Sequence, residues 1–265
     1  MLTIECLGGL GNRMRALDSA IALARALGYP ITMVWNIDAS LGCRFNDLFY
    51  PPASIQKIVH RNRNRKSRIE RLLRKITYNI GRRKELSMEQ QEVEKHMRQH
   101  FDFKQLSRYP TVHIATCSHF YESEAPFREF HPVQQLQSQI DSYTHLFNNT
   151  IGVHLRRTDN YIATEHSPTE FFLATMERMV HDDPQTGFFL ATDDPQEEKR
   201  FLDAFPGRVI SHRKRSYHRS EPAAIQDALI DLYVLSKCKK IIGSYWSSFS
   251  DVASALGGAE LILPK

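Results

Sequence analysis

Apolar positions along the chain recur at two spacings, and the spacing changes several times. Residues 3–7 read as a strand, and a glycine-rich turn follows it. Leu17, Ala20, Ile21, Ala24 and Leu27 then recur at helical intervals. Gly28 stands where a helix C-cap belongs, and Pro30 prevents continuation. Residues 31–35 are a second apolar run, which completes a βαβ unit. Residues 39–52 read as loop, with Phe45, Leu48, Phe49 and Tyr50 packing inward. Ile69, Leu72, Leu73 and Ile76 predict an amphipathic helix centred on 67–78. Residues 85–110 are polar and helical in part, and 111–115 read as a strand. Val133, Leu136, Ile140, Tyr143 and Phe147 mark a helix before the next strand.

The second half is more regular. Ile151, Val153 and Leu155 form a strand that ends in Arg156-Arg157-Thr158-Asp159. Ser167-Pro168-Thr169-Glu170 has the form of a capping box with Pro at the first helical position. Residues 187–192 form a buried strand ending in Asp193-Asp194-Pro195. Asp194 is placed to cap the next helix, and Asp193 is then the freer carboxylate. A short strand at 208–211, a basic loop at 212–220 and a strong helix at 222–237 follow. A strand at 240–243 opens into Ser244-Tyr245-Trp246-Ser247-Ser248-Phe249-Ser250. A last helix reaches Gly257, and 261–263 close the sheet. This β-α alternation predicts an α/β chain with doubly wound, Rossmann-like sheets. The domain boundary is expected at 147/148.

Composition narrows the class. At 265 residues, 42% hydrophobic and 25% charged, the chain suits one large or two small globular domains. No run approaches the about 18 apolar residues of a membrane helix. The start has no basic n-region or apolar h-region, so no signal peptide is expected. Four scattered cysteines without Cys-x-x-Cys spacing argue for a reducing compartment and against a zinc site. The expected location is therefore cytoplasmic. The net charge of +5 is local: residues 57–84 hold 12 Lys/Arg and one acid, leaving 23 basic and 29 acidic residues elsewhere. Two readings of 57–84 stay open. It lies on an anionic membrane or another polyanion, or it is a solvated helix packed by its apolar stripe. Tyr78 is its one aromatic residue, which argues against nucleic-acid stacking.

Candidate chemistry gathers where strands end. Adjacent arginines on a strand point to opposite faces, so of Arg156 and Arg157 one can reach a ligand while the other anchors the loop to Asp159. An arginine fork suits a phosphate or diphosphate. Gly9-x-Gly11 with Asn12 and Arg13 opens a helix start, which attracts anions, although it is neither a P-loop nor a full dinucleotide fingerprint. Asn12 is either a ligand residue or an N-cap. Taken alone, His154 suits the alternative of a hydrogen-bonded core histidine, and Asp231, four residues after Asp227, that of a solvated helix face. The Asp193-Asp194 pair looks like a metal motif, but its capping position argues against one. Arginine, the hydroxyls of Ser247 and Ser248 and a helix N-terminus together make a diphosphate cradle that needs no metal.

Four ordered segments carry a resemblance: Gly-Val-His-Leu-Arg-Arg-Thr-Asp at 152–159, Phe-Leu-Ala-Thr-Asp-Asp-Pro at 189–195, Leu-Ile-Asp-Leu-Tyr-Val-Leu-Ser at 229–236 and Ser-Ser-Phe-Ser at 247–250. They resemble the nucleotide-sugar half of the α1,6-fucosyltransferases, including the nodulation enzymes, and more distantly the protein O-fucosyltransferases. Gly-Gly-Leu-Gly-Asn-Arg-Met at 8–14 is similar to the first loop of that superfamily. The resemblance covers 150–257 well and 1–35 moderately, and it leaves 36–149 unmatched. It implies a GT-B-like pair of Rossmann domains facing a cleft. Residues 1–147 would be the acceptor side, with a basic helical insertion at 57–84, and 148–265 would bind the donor. It implies inverting, metal-independent transfer of fucose from GDP-fucose, or of another sugar from a GDP-sugar, with no cofactor. The acceptor would be a glycan or glycolipid, as in polysaccharide biosynthesis, held near the inner face of the membrane by the basic segment.

By motif position Arg157 or Arg156 holds the β-phosphate, His154 and Asp231 meet the guanine or ribose end, and Ser247 and Ser248 meet the phosphates. Gly9, Gly11, Asn12, Arg13, Asp159 and Asp193 complete the donor side. Glu165 is the candidate base, with two departures: the spacing is one residue longer, and Asn160 stands where the enzymes carry lysine. Two rival classes remain. One is a nucleotide-sugar-binding protein without catalysis, and the other a polyanion binder acting through 57–84.

Overall fold

The computed structural model describes residues 1–62, 85–144, 149–158 and 165–263. The chain divides into two compact units: Met1–His131 with Arg219–Pro222, and Pro132–His218 with Ala223–Lys265. The sequence predicts a division at 147/148; contacts divide the chain at 131/132.

The first unit is built on a five-stranded parallel sheet. Its strands are β1 (Leu2–Cys6), β2 (Ile31–Ile37), β3 (Ile55–Asn62), β4 (Glu85–Met88) and β5 (Thr111–Thr116), in the order β3-β2-β1-β5-β4. The helices α1 (Leu10–Leu27) and α2 (Gln90–Arg98) connect them. β1 is central, and Leu2, Ile4 and Cys6 are fully buried there. The α1 stripe of Met14, Leu17, Ala20 and Leu23 is also fully buried. Gly28 ends α1 at φ 66°, a left-handed position that suits glycine, and its N–H reaches the Ala24 and Arg25 carbonyls.

The basic run starts differently from its prediction. Lys57, His60 and Arg61 lie on β3, an edge strand, so part of the expected helical insertion is strand. The helix expected over 67–78 falls outside the described residues. β4, the other edge strand, is a second difference from the sequence prediction.

The second unit has the parallel strands β6 (Thr150–Leu155), β7 (Gly187–Thr192), β8 (Val209–Ser211), β9 (Lys240–Gly243) and β10 (Glu260–Ile262), in the order β10-β9-β6-β7-β8. Its helices are α3 (Gln134–Thr144), α4 (Thr169–Asp182), α5 (Pro195–Ala204), α6 (Pro222–Leu235) and α7 (Ser248–Gly257). Val153 and Leu155 pack with Phe172, Met176, Phe188, Leu190 and Phe201 in one core. A Cβ on Gly152 would come within 2.8 Å of Leu235, so glycine lets α6 close on β6. This is the doubly wound α/β architecture the sequence predicts. The chain moves outward from β6 to β8, then returns to β9 on the other side of β6. The strand order therefore reverses between β6 and β9, and ligands of such sheets bind beyond the carboxyl ends at that point. Among the described residues no helix is long and apolar enough to cross a membrane.

Candidate active site

At the β6–β9 reversal the two strand ends are tied together. The Ser244 hydroxyl accepts the Arg156 N–H at 2.9 Å and donates to the His154 carbonyl at 3.1 Å. His154 is buried, its Nδ1 lies 2.7 Å from the Ser250 hydroxyl, and its ring stacks on Phe249 at 4.6 Å. Burial, and then the neighbouring Arg156 charge, push its pKa down to about 3, so the ring is neutral at pH 7. His154 thus fits the core-histidine alternative: it links β6 to α7. Ser247 is the buried N-cap residue of α7, but its hydroxyl makes no capping bond. Ser248 is the first helical residue and half-buried.

The two arginines diverge as adjacent strand residues should. Arg157 is turned inward, with its side chain only 7% exposed. It donates to the Ser167 carbonyl at 2.9 Å, the Thr169 hydroxyl at 3.0 Å and the Arg156 carbonyl at 3.0 Å, and its guanidinium lies over Phe172. Glu197 stands 3.9 Å from its Nε and accepts from Thr169 at 2.8 Å. Burial lowers the Arg157 pKa, with Glu197 opposing the shift. Of the two arginines, the Arg157 side chain, expected to be the catalytic one, is thus engaged in the anchoring place. Among the described residues its partners come from the start of α4 and from α5; Asp159, the expected anchor, lies outside the described residues.

Arg156 pairs with Asp193 at 2.7 Å. Asp193 also accepts the Arg157 N–H at 2.8 Å and the Thr158 hydroxyl at 2.7 Å. It is thus a heavily engaged carboxylate rather than the freer one expected, because strand register brings the β6 end alongside it. Asp194 caps α5 as predicted, accepting from Gln196 and Glu197. The expected Ser167 cap does not form. Pro168 occupies the N-cap of α4, and the Ser167 hydroxyl accepts the Tyr245 N–H at 2.9 Å instead. Glu165 is exposed.

Asp231 lies on the buried side of α6, not on a solvated face. Lys214 pairs with one oxygen, and the other has no hydrogen-bond partner. Burial pushes its pKa up to about 6 against the pull of Lys214. One turn earlier, Asp227 is held down at about 2. Burial alone would raise it, but hydrogen bonds from His212 and Arg215 prevail.

In the first unit, Gly9 is the extended N-cap residue of α1, and Gly11 is buried in its first turn. The glycine that the backbone demands is Gly8, at φ 78°, where a Cβ would stand 2.8 Å from the Asn12 amide nitrogen. Asn12 is inside the helix and does not cap it. Arg13 is fully buried over the Trp35 ring. It donates to the Gly8 carbonyl at 2.7 Å, to the Asn36 carbonyl and to Asp38 at 3.1 Å. These bonds commit the side chain, expected on the donor side, to holding the turn. The Arg219 guanidinium lies 3.7 Å from where a Gly9 Cβ would be, a juxtaposition that 210 residues of sequence separation conceal. Ser244 lies outside the motifs, and Ser250, inside the 247–250 motif, is given no role by it. Their only signal is position, after a strand in a serine-rich turn.

No family model matches the chain, and no curated protein sequence matches it. Solved structures do. The chain shares its fold with fucosyltransferases. The NodZ α-1,6-fucosyltransferase soaked with GDP-fucose is 20% identical at a TM-score of 0.64, covering 96% of this chain and 92% of that one. The NodZ enzyme from Bradyrhizobium aligns at a TM-score of 0.65 with 20% identity, over 95% and 90%. POFUT1 in complex with GDP aligns at 0.60 with 13% identity, over 99% and 98%. At these identities the likeness establishes the fold.

Proposed function

We propose that the protein is an inverting, metal-independent glycosyltransferase that moves fucose from GDP-fucose to a glycan or glycolipid acceptor. The carrying observation is the β6–β9 reversal, where Arg156, Ser244 and the uncapped start of α7 meet in a fold shared with fucosyltransferases. Such a helix start presents free N–H donors, and with an arginine it suits a diphosphate. The diphosphate gains charge as the C1–O bond breaks, so fixed donors there lower the barrier. Arg156 takes the role of phosphate fork, because Arg157 is committed to Ser167 and Thr169. Support for metal independence is that Asp193 and Asp194 are occupied by Arg156 and by the α5 cap.

The acceptor hydroxyl attacks C1, GDP leaves, and a base takes the hydroxyl proton. Asp193 is engaged by Arg156, and Glu197 lies beside Arg157, which favours the exposed Glu165 as that base.

Calorimetric titration with GDP, UDP and CMP, each with magnesium or with EDTA, tests the reading. GDP is expected to bind alone of the three and to ignore EDTA. Arg156→Ala should lower transfer from GDP-fucose about 10²- to 10³-fold while the melting temperature holds. Binding of none of the three nucleotides would overturn the reading.

A further inference from the structure

Trp246 is the most exposed large apolar side chain among the described residues, at 71%. Its backbone is also held at φ 52°, a left-handed conformation unfavourable for a bulky residue. Phe127 has a similar backbone, at φ 60°, but is buried at 5%, so core packing offsets its strain. Trp246 has no such burial. The residues around it are fixed. Ser244 is bonded to both His154 and Arg156, the Tyr245 N–H is held by Ser167, and the His166 ring packs on Tyr245 at 5.1 Å. Ser247 then begins α7. Tyr245 meets the Trp246 ring edge-on at 6.1 Å. A strained, outward-facing indole thus stands on an anchored loop at the sheet's reversal point, next to the helix start to which the proposed function assigns the diphosphate.

We infer that Trp246, edged by Tyr245, is a stacking platform for the apolar C–H face of a pyranose ring. This inference rests on the donor site proposed above and adds the sugar-contacting residue to it. A flat, apolar and partly wetted surface suits a ring that is polar at its rim and apolar on its face. Two sugars could supply that ring, the donor's fucose or the acceptor's terminal residue.

The chain has two tryptophans, and Trp35 is fully buried, so acrylamide quenching of the emission reports Trp246. The quenching constant is expected to fall about twofold with GDP-fucose or with an oligosaccharide such as chitotetraose or cellotetraose, but not with GDP. Protection by GDP-fucose alone assigns the donor's sugar; protection by an oligosaccharide, with or without GDP, assigns the acceptor's. Protection by GDP alone would make Trp246 a nucleobase platform and overturn the inference. So would full quenching in every arm while calorimetry shows GDP bound. If calorimetry shows no GDP binding, the donor reading fails. The oligosaccharide arm then decides the platform by itself: protection upholds it, and unchanged quenching sinks it.

Trp246→Asn should raise the KM for the protecting sugar about tenfold, and Trp246→Phe should restore part of it. The melting temperature of Trp246→Asn should not fall, since asparagine tolerates this backbone. A fall in Tm with an unchanged KM would show a merely structural role.

Discussion

Each unit places arginine beyond the carboxyl end of its central strand, in the same parallel five-stranded architecture, and the two units use it differently. After β1, three glycines open a turn and Arg13 folds back beneath it, with donors on two backbone carbonyls and one carboxylate. After β6 there are two arginines with divided tasks. Arg157 clamps the start of α4 from within, while Arg156 stays at the strand end between Ser244 and Asp193. A buried guanidinium on backbone carbonyls fixes a turn and leaves little charge for a ligand. One held by a neighbouring carboxylate at a strand end keeps both its orientation and its charge. The difference lies in residue environment, since the fold is common to both, and it is the ground on which the proposed function assigns the phosphate to Arg156.

The largest effect is expected where burial is complete. Arg13→Met should destabilise the first unit by about 3–5 kcal/mol, because Asp38 and two carbonyls lose their donor. Urea denaturation measures this, and a loss below about 1 kcal/mol would break the comparison. Arg157→Ala should cost about 2–3 kcal/mol by leaving the Ser167 carbonyl without this donor and removing the cation beside Glu197. Calorimetric GDP affinity of this variant, measured well below its melting point, should stay within about threefold of the parent. Affinity lost with unchanged stability would return Arg157 to the ligand.

Periodicity makes the central elements legible and the edges obscure. β1, α1, β2 and the β6–β7 core read directly because their apolar faces are continuous. β3 and β4 do not, since an edge strand is half solvated and so carries Lys57, His60 and Arg61, which read as part of a basic run. Local caps read well when a single side chain makes them, as Asp194 does. Ser167 has the same local pattern, yet its hydroxyl is taken by Tyr245, 78 residues away. Asp193 is misread for the same reason: its partners arrive from the neighbouring strand, and no spacing within 187–195 encodes them. The site residue types were visible, but the division of labour between Arg156 and Arg157 depends on tertiary contacts.

The smallest effect sharpens the comparison inside the second unit, where α6 holds two buried carboxylates with opposite shifts. Asp227, at about 2 when folded against an ordinary 3.8, binds fewer protons folded than unfolded between those values. Its contribution is present above pH 3.8 and lost as pH falls towards 2. Asp231, at about 6, binds more protons folded than unfolded between pH 4 and 6. Its contribution is full in acid and lost as pH rises through 6. Unfolding free energies across pH 2–7 should therefore decline at both ends of that span. Asp227→Asn should flatten the acid limb and Asp231→Asn the limb between pH 4 and 6. Parallel curves for the parent and Asp231→Asn would mean that Lys214 holds that carboxylate ionised throughout, and the second unit would then bury a permanent ion pair in α6, as the first does at Arg13.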